Sequence, residues 1–337
     1  MVSILRSVAH KVGLGRAMRA WRRTLRRRAL PKRDNFDALL NFARPRSPPG
    51  YLSIAAKFRD EAHHLAEWLE FHHLVGVEHV YLYDNGSTDN PCKVLEPYIR
   101  EGFVSVIPWA SPLTAHEVLQ RFAYVHAILN FGIHWRWMAF IDIDEFLFPV
   151  EGTSLPAILA DYEGLPAVAA YWTMYGFNGH ETRPPGLTIE SYTKRSPYGV
   201  QAWPKSIVDP SKVIGVGSVH MFDFAEGREI AYDEQKRLIR GLEGKKGRPP
   251  SDFGPSNILR LNHYFTRSRE EFAAKTARYS QIEAKKSDQK RKFARMLEEN
   301  GAFYDDTILR FVPEVKLRLG ARAGHNLWKS EAQAGRS

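Results

Sequence analysis

Two kinds of hydrophobic pattern alternate along residues 51–141. Short apolar runs rich in β-branched and aromatic residues predict strands at Tyr51–Lys57, His79–Tyr83, Phe103–Ile107 and Trp137–Ile141. Longer segments of mixed polarity predict the helices Asp60–Leu74, Pro91–Glu101 and Ala115–Ile133. Because strands that alternate with helices pair in parallel, this half predicts a Rossmann-like α/β architecture, with a mostly parallel sheet flanked by helices.

The pattern loosens after Pro149. Strands are predicted at Ala167–Met174 and Lys212–Phe222, and the loops around them are rich in proline and glycine. From Ser268, a capping-box spacing to Glu271 opens a long charged region that predicts helix through about residue 300. Its many charges lead us to expect that this helical region faces solvent.

The basic residues are concentrated at the N-terminus. The net charge is +10, and residues 1–33 contain eleven Lys and Arg and no acid, which leaves 37 basic against 38 acidic residues elsewhere. Leu14, Met18, Trp21 and Leu25 recur at helical spacing between the arginines. We therefore expect a basic amphipathic helix on an anionic membrane surface, with a solvated tail as the alternative. No nucleic-acid partner is expected, because the nearly neutral body offers no basic groove.

The same segment and the single cysteine bear on localisation. Arginines interrupt every apolar run of residues 1–33 well before the roughly 18 residues of a membrane span, so neither a span nor a secretory signal is expected. Cys92 has no second cysteine for a disulfide or a zinc site. These features favour a cytoplasmic protein, attached peripherally to the inner face of the membrane. The proline-rich run Arg44–Gly50 predicts a linker into the folded body.

Two carboxylates follow the apolar strand Trp137–Ile141. Asp142 and Asp144 lie two residues apart, so on an extended chain they point to the same side and can face one hard cation, Mn²⁺ or Mg²⁺. The carboxyl end of a parallel strand is where ligands bind in open α/β sheets. Two exposed acids at a strand end are the alternative, and the apolar run Phe146–Phe148 after them argues against simple exposure.

A second polar turn follows the strand His79–Tyr83. Asp84 ends this strand, and the turn that follows leads into a helix with backbone N–H groups at its start. Asp84 is therefore a candidate acceptor for hydrogen bonds from a ribose or a base. The alternative is a simple connection between a strand and a helix.

Several motifs together resemble glycosyltransferase family 92 and its family-2-like bacterial relatives, over roughly residues 51–280. In order, they are Arg59-Asp60-Glu61, Glu67–His72, Tyr83–Asp89, Phe140–Phe146, Gly176–His180, Pro185–Leu187, Lys205–Val208 and Leu261–Ser268. The resemblance implies a GT-A type fold, a nucleotide-sugar donor and a divalent cation at Asp142 and Asp144. It also makes His263 a further metal ligand.

The resemblance assigns further residues to the donor. The predicted nucleotide-sugar-binding residues are Arg59, Glu61, Asp84, Asn85, Asp142 and Lys205. Lys205 would approach the diphosphate as a point charge, although a solvated lysine is the alternative. Asp60 departs from the family pattern, because relatives commonly have Asn at this position.

On the acceptor side, Trp172 is a candidate for stacking against a sugar ring, and His180 lies in a loop beside Gly179. The resemblance favours an inverting reaction, which needs a carboxylate to take the proton of the acceptor hydroxyl. The candidate bases are Glu145, Glu181, Asp223 and Asp252.

We therefore predict a metal-dependent glycosyltransferase that moves a sugar to a glycan or a lipid-linked acceptor. Residues 1–49 form the basic arm and linker, and residues 50–270 form the catalytic domain, with a nucleotide-sugar half (50–150) and an acceptor half (151–270). Residues 271–337 form a helical C-terminal extension. The alternatives are a metal-dependent phosphotransferase or hydrolase, which lacks a Walker-type loop here, and a non-catalytic membrane-associated carbohydrate-binding protein.

Overall fold

The computed structural model describes residues 48–111, 116–200, 203–241, 256–280 and 284–322. The basic arm, most of the predicted linker and Asp252 lie outside these ranges. Within them, no helix combines the length and the apolar character that crossing a membrane requires.

Four parallel strands form the first half of the main sheet. They are β1 (Gly50–Phe58), β2 (His79–Asp84), β3 (Val104–Pro108) and β4 (Trp135–Phe140), in the spatial order β3-β2-β1-β4. The connections contain α1 (Ala62–Leu74), α2 (Pro91–Arg100), and α3 (His116–Phe131) followed by a 3₁₀ turn at Gly132–His134. The predicted α/β architecture, a mostly parallel sheet flanked by helices, is confirmed for this half of the chain. Parallel pairing brings the carboxyl ends of β1, β2 and β4 to one edge.

Helices cover both faces of this sheet because the strands alternate. Ile54 of β1 packs into the core with Trp68 of α1, while its neighbour Ala55 packs into the opposite core with Tyr124 of α3. Each fully buried large side chain contributes about 1.5–3 kcal/mol, so the cores on both faces stabilise the sheet.

The second half of the sheet is mixed. Its elements are β5 (Glu145–Pro149), α4 (Leu155–Ala160), β6 (Ala167–Met174), α5 (Thr188–Ser191), β7 (Lys194–Arg195), β8 (Pro204–Val208), β9 (Val213–Gly215), β10 (Phe222–Phe224), β11 (Gly227–Tyr232), β12 (Leu238–Arg240) and β13 (Leu259–His263). Strand β8 pairs antiparallel with both β4 and β6, and β13 joins β6 to β5. This arrangement places β8 and β13 on either side of the turn between β4 and β5.

The C-terminal part packs back on the sheet. It comprises α6 (Arg269–Ser280), α7 (Ala284–Asn300), β14 (Phe303–Tyr304), the 3₁₀ turn Leu309–Phe311 and a helix over residues 312–322. Strand β14 pairs with β7. Asp305 holds two arginines, at 2.8 Å from Arg195 and 2.7 Å from Arg260, and so ties this segment to the body.

Two expectations need correction. The single strand Lys212–Phe222 is wrong: β9 and β10 are separate strands that pair antiparallel. Gly217 lies between the two strands, at a position where a Cβ would lie 2.4 Å from Glu229 Cγ. The region from Ser268 is not wholly solvent-facing either, since Phe272 and Leu297 are buried. Phe272 packs edge-on against the ring of Phe177, with centroids 5.6 Å apart.

Candidate active site

A short turn between β4 and β5 carries the three acids Asp142, Asp144 and Glu145, and we call it the acid turn. Reciprocal hydrogen bonds close it: Asp142 N donates to Glu145 Oε2 at 3.0 Å, and Glu145 N donates to the carbonyl of Asp142 at 3.0 Å. The structure places Asp142 and Asp144 at the carboxyl edge of the parallel strands, as the sequence predicts. Glu145, the third acid, closes the turn through these two hydrogen bonds. It is the first residue of β5 and is fully buried.

Neighbouring elements hold the turn in place. Trp68 Nε1 on α1 donates to the carbonyl of Glu145 at 2.8 Å. His72, one helical turn later, accepts from Leu147 N at 3.2 Å and bonds the carbonyl of Trp68 at 2.8 Å through Nδ1. Because Nε2 is the acceptor, the proton of a neutral His72 lies on Nδ1. Burial lowers the pKa of His72 to about 3, which keeps the ring neutral.

Asp142 is fixed by two donors. Lys205 Nζ lies 2.8 Å from Asp142 Oδ2, and Gln120 Nε2 of α3 donates to Oδ1 at 2.8 Å. The Lys205 ammonium also lies 3.5 Å from Glu145 Oε1, and its side chain is 1% exposed. Burial acts to raise the pKa of Asp142, but Lys205 outweighs it and brings this pKa to about 2. Burial likewise acts to lower the pKa of Lys205, but the two acids raise it above its usual range.

Asp144 has different partners. Lys275 Nζ on α6 lies 2.6 Å from Asp144 Oδ2, and His263 Nε2 lies 3.5 Å from the same oxygen. Tyr264 N donates to the carbonyl of Asp144 at 2.8 Å. Burial acts to raise the pKa of this carboxyl, but Lys275 and His263 hold it well below its usual range. Asp144 is therefore ionised at neutral pH.

The turn and β13 together offer a metal-ligand set. One ligand atom each from Asp144, Glu145 and His263 lies within 4.8 Å of the others. Glu145 Oε1 and His263 Nδ1 are buried without a hydrogen-bond partner in the described residues. Carboxylate oxygens with one imidazole fit Mn²⁺, and carboxylates fit Mg²⁺. Burial raises the pKa of Glu145 well above its usual range, a cost that a bound cation would relieve. This group includes Glu145 and not Asp142, whose oxygens face Lys205 and Gln120. A role for Asp142 in metal binding stays a prediction.

The first loop, residues 59–61 after β1, is hydrogen-bonded to the Asp84 turn, which follows β2 and leads into α2. Asp60 Oδ1 accepts from Thr88 N at 2.7 Å, and Asp60 N donates to Ser87 Oγ at 3.0 Å. Asp84 Oδ1 accepts from Ser87 N at 2.8 Å, and Asn85 N donates to the carbonyl of Phe58 at 2.9 Å. Asp60 has a φ of 53°, a left-handed conformation that Asn and Asp both tolerate. The departure from the family pattern at Asp60 therefore keeps the backbone geometry.

The other two residues of the first loop differ in exposure. The side chain of Arg59 is 49% exposed and lies 3.7 Å from Asp60 Oδ2. Glu61 Oε2 accepts from Arg267 Nη1 at 2.5 Å, and Arg267 Nη2 donates to the carbonyl of Ile143 at 3.2 Å. Glu61 therefore positions Arg267 beneath the acid turn.

Of the predicted acceptor residues, Trp172 contacts the site residues His263 and Lys205, whereas His180 contacts Ser191 and Tyr192. The ring of Trp172 is 4.3 Å from the ring of His263, between centroids, and 5.9 Å from Lys205 Nζ. His180 Nε2 is hydrogen-bonded to the carbonyl of Ser191 at 3.1 Å. The neighbours of His180, Thr182 and Arg183, line the cavity next to Asp144.

The candidate bases are widely separated. Glu145 lies in the acid turn. Asp223 is buried on β10 and accepts from Glu229 N at 2.8 Å. The side chain of Glu181 is 76% exposed and lies 3.0 Å from Arg269. Asp252 lies outside the described residues.

A cavity of about 480 Å³ opens beside Asp144, and Glu61, Phe265, Arg267 and Lys275 are among its lining residues. A second cavity of about 250 Å³ shares His63, His64, Arg183 and Glu271 with the first. Asp144 therefore lines a cleft large enough for a small ligand.

Gln120, Arg267 and Lys275 contact the site acids or the backbone of the acid turn without having a predicted role. Gln120 is buried within a helix face that also carries Ala123 and Tyr124, and a polar residue on such a face is the signal that was available. Lys275 gave no comparable signal, because it is one charge among many in a helix that we expected to face solvent.

Comparisons with known proteins agree with the motifs. The sequence model of the family described as Glycosyltransferase family 92 matches residues 53–293. A glycosyltransferase family 92 protein of Oryza sativa subsp. japonica is 27% identical over 196 residues, which are 56% of this chain and 32% of the relative. One from Arabidopsis thaliana is 29% identical, over 52% of this chain and 32% of the relative. The chain thus spans about a third of the length of these curated relatives.

Solved structures give more distant matches. S. aureus TarS 1–349 matches with a TM-score of 0.31 and 15% identity, over 48% of this chain and 47% of TarS. Glucosyl-3-phosphoglycerate synthase from Mycobacterium tuberculosis, in complex with Mn²⁺, UDP and glucosyl-3-phosphoglycerate, matches with a TM-score of 0.24 and 16% identity, over 39% and 50%. The α/β architecture described above rests on the strand pairing of this chain and not on these matches.

Proposed function

The chain belongs to glycosyltransferase family 92, and from this premise and the acid turn after β4 we propose that it transfers a sugar from a nucleotide-sugar donor with the help of a divalent cation. The observation that carries the proposal is the group Asp144, Glu145 and His263, whose ligand atoms lie within 4.8 Å of one another beside an open cavity. Family membership also sets aside the phosphotransferase and the non-catalytic carbohydrate-binding alternatives.

These three residues would hold Mn²⁺ or Mg²⁺. A cation bound there supplies positive charge to the departing nucleoside diphosphate, on which negative charge develops as the glycosidic bond breaks. The chain prepares the site by holding Asp144 ionised and by fixing the turn through Trp68. A turn whose geometry is fixed before the donor binds makes such electrostatic help effective, because little reorganisation is needed during the reaction.

The remaining site residues bind and orient the donor. Lys205 contributes a fixed positive charge between Asp142 and Glu145. Asp84, at the carboxyl end of β2, would contact the nucleoside at the same edge of the sheet. Trp172 offers an aromatic face next to His263, which suits stacking against a sugar ring. We propose that Arg59 and Glu61 border the nucleotide, Glu61 acting through Arg267.

We propose an inverting reaction, in which a carboxylate takes the proton of the acceptor hydroxyl on the face opposite the leaving group. Glu181 directly precedes Thr182 and Arg183, which line the cleft, and its side chain is exposed enough to meet an incoming acceptor. Glu145 is the less suitable base, because its side chain is fully buried and belongs to the proposed ligand set. Glu181 is therefore the first base candidate to test.

The acceptor is proposed to be a glycan or a lipid-linked glycan. The concentration of basic residues in 1–33 supports this, because an anionic membrane surface would attract that segment and bring the enzyme to acceptors held there. We place the enzyme at the cytoplasmic face of the membrane.

A thermal-shift screen tests the proposal. The full chain is heated with a panel of nucleotide sugars, with and without Mn²⁺, because a ligand that binds the native state raises Tm by mass action. We expect one or a few nucleotide sugars to raise Tm, and only when Mn²⁺ is present. Asp144→Asn should lose this response, while the exposed Glu181→Gln should keep it. A response that is the same with EDTA, or none to any nucleotide sugar, would contradict the proposal.

A further inference from the structure

Each acid of the Asp142-x-Asp144 pair has its own lysine, and the two lysines are held differently. Lys205 is 1% exposed within β8 and contacts both Asp142 and Glu145, so it is a fixed counter-charge. Lys275 is 22% exposed and lines the cavity on which Asp144 opens. A ligand that enters this cavity therefore meets Lys275 and can displace it from Asp144.

Lys275 stands on the side of Asp144 that faces the ligand set. Asp144 Oδ2 lies 2.6 Å from Lys275 Nζ and 3.5 Å from His263 Nε2. A cation shared by Asp144 and His263 would use this same region, close to the ammonium. Like charges so near each other repel strongly in a partly buried site. The ammonium and the cation therefore compete for Asp144.

Lys275 can leave Asp144 without any movement of its helix. Apart from Asp144, Lys275 Nζ donates to the carbonyl of Phe265 at 3.1 Å and lies 4.8 Å from the centre of the Phe265 ring. The four-carbon stem of lysine is flexible, so its ammonium can swing into the cavity. Helix α6 itself is anchored by the cap between Ser268 and Glu271, in which Ser268 Oγ donates to Glu271 Oε2 at 2.7 Å.

Building on the proposed nucleotide-sugar transfer, we propose that Lys275 is a counter-ion switch that couples cation binding to donor binding. Without donor, its ammonium neutralises Asp144 and weakens the binding of a free cation. When donor enters, the ammonium turns to an oxygen of the donor diphosphate and frees Asp144 for the cation. The cation and the nucleotide sugar therefore bind cooperatively, and no covalent step is involved.

Calorimetric titration of Mn²⁺ into the full chain, with and without saturating UDP, tests this switch. Lys275→Met should bind Mn²⁺ alone more tightly than the unaltered protein, by between about 5-fold and about 150-fold, the usual range for coupled sites. The tightening of Mn²⁺ binding by UDP should shrink in the same variant. Lys292→Met is the matched control, because it removes the same charge from an exposed position of α7 and should leave both affinities unchanged.

The outcomes separate this inference from the proposed function. If Lys275→Met binds Mn²⁺ alone no more tightly, or if Lys292→Met has the same effect, Lys275 is not the switch. If even the unaltered protein with UDP binds no Mn²⁺, both the switch and the proposed cation dependence are wrong. Lys275→Gln serves as a second variant, and a thermal melt of each variant confirms that it is folded.

Discussion

Trp68 Nε1 donates a 2.8 Å hydrogen bond to the carbonyl oxygen of Glu145, so the indole of helix α1 holds the turn that carries the site acids. The bond joins residues that are 77 positions apart in the sequence. It links the packing of the core to the geometry of the site, because Trp68 is fully buried in the core beneath the sheet.

Replacing Trp68 with Phe tests this link. Loss of the indole donor leaves the Glu145 carbonyl unsatisfied, and we expect a stability loss of about 1–3 kcal/mol together with a lower kcat. Urea unfolding and steady-state kinetics measure the two effects. Trp135→Phe is the matched control, because Trp135 Nε1 donates to Tyr81 Oη at 2.9 Å far from the acid turn. It should lose stability but keep its kcat, and an equal fall of kcat in both variants would contradict the link.

The Asp84 turn gives a second prediction. Asp84→Ala removes the acceptor for Ser87 N and the proposed nucleoside contact, so donor KM should rise by about 2-fold to 10-fold, the equivalent of one hydrogen bond of about 0.5–1.5 kcal/mol. The kcat should change little, because Asp84 does not touch the reacting carbon. Asp84→Asn keeps an acceptor for the turn and separates the two roles. An unchanged donor KM in the Ala variant would show that Asp84 only connects β2 to α2.

The buried imidazole of His72 predicts a dependence of stability on pH. The folded pKa of about 3 lies below the ordinary value of 6.5, so below pH 6.5 the unfolded chain binds a proton that the folded chain does not. The contribution of neutral His72 to the free energy of unfolding is complete above pH 6.5 and is lost as the pH falls towards 3. The loss is about 1.4 kcal/mol per pH unit inside this window.

Urea unfolding between pH 7 and pH 4 measures this slope. His72→Gln lacks the titrating ring, so its free energy of unfolding should fall less steeply than that of the unaltered protein, from a lower value at pH 7. His134→Gln, at an exposed position, serves as the control and should keep the full slope. Equal slopes in the unaltered protein and His72→Gln would mean that His72 becomes protonated within the folded state.

The basic N-terminal segment gives a fourth prediction. A chain that begins at Ser47 should stop co-sedimenting with vesicles that contain anionic lipid, and its turnover on a soluble acceptor should be unchanged. Binding of the full chain should weaken as salt is raised, because salt screens the attraction between the arginines and the lipid. If the full chain ignores such vesicles at low salt, residues 1–33 are not a membrane anchor. If the shortened chain loses turnover, the segment belongs to the catalytic body.

The sequence predicted the parts of the site that are local. Asp142 and Asp144 stand out because an apolar strand runs directly into them. Asp84 stands out for the same reason on β2, which β1 separates from β4. The hydrophobic pattern of a strand reveals such residues, because this pattern follows from the local geometry of the backbone.

Contacts between distant segments were not accessible in this way. Lys275 meets Asp144 across 131 residues, and only the path of α6 over the sheet edge brings them together. Lys205 shows the same limit, because its sequence context also allows a solvated lysine, whereas β8 buries its side chain between two acids. The sequence makes Glu145 a candidate base only. Its place in the ligand set depends on its pairing with His263, which the register of β5 and β13 creates.

The most direct test of the account is the release of nucleoside diphosphate from the nucleotide sugar selected by the thermal-shift screen, measured for the full chain and for Asp144→Asn. We predict turnover that EDTA abolishes and Mn²⁺ restores, and a fall in kcat of at least about 100-fold in Asp144→Asn, the loss expected when one group that stabilises developing charge is removed. Lys292→Met should keep the full rate. Undiminished turnover in excess EDTA, or in folded Asp144→Asn, would contradict the cation-assisted transfer proposed for this site.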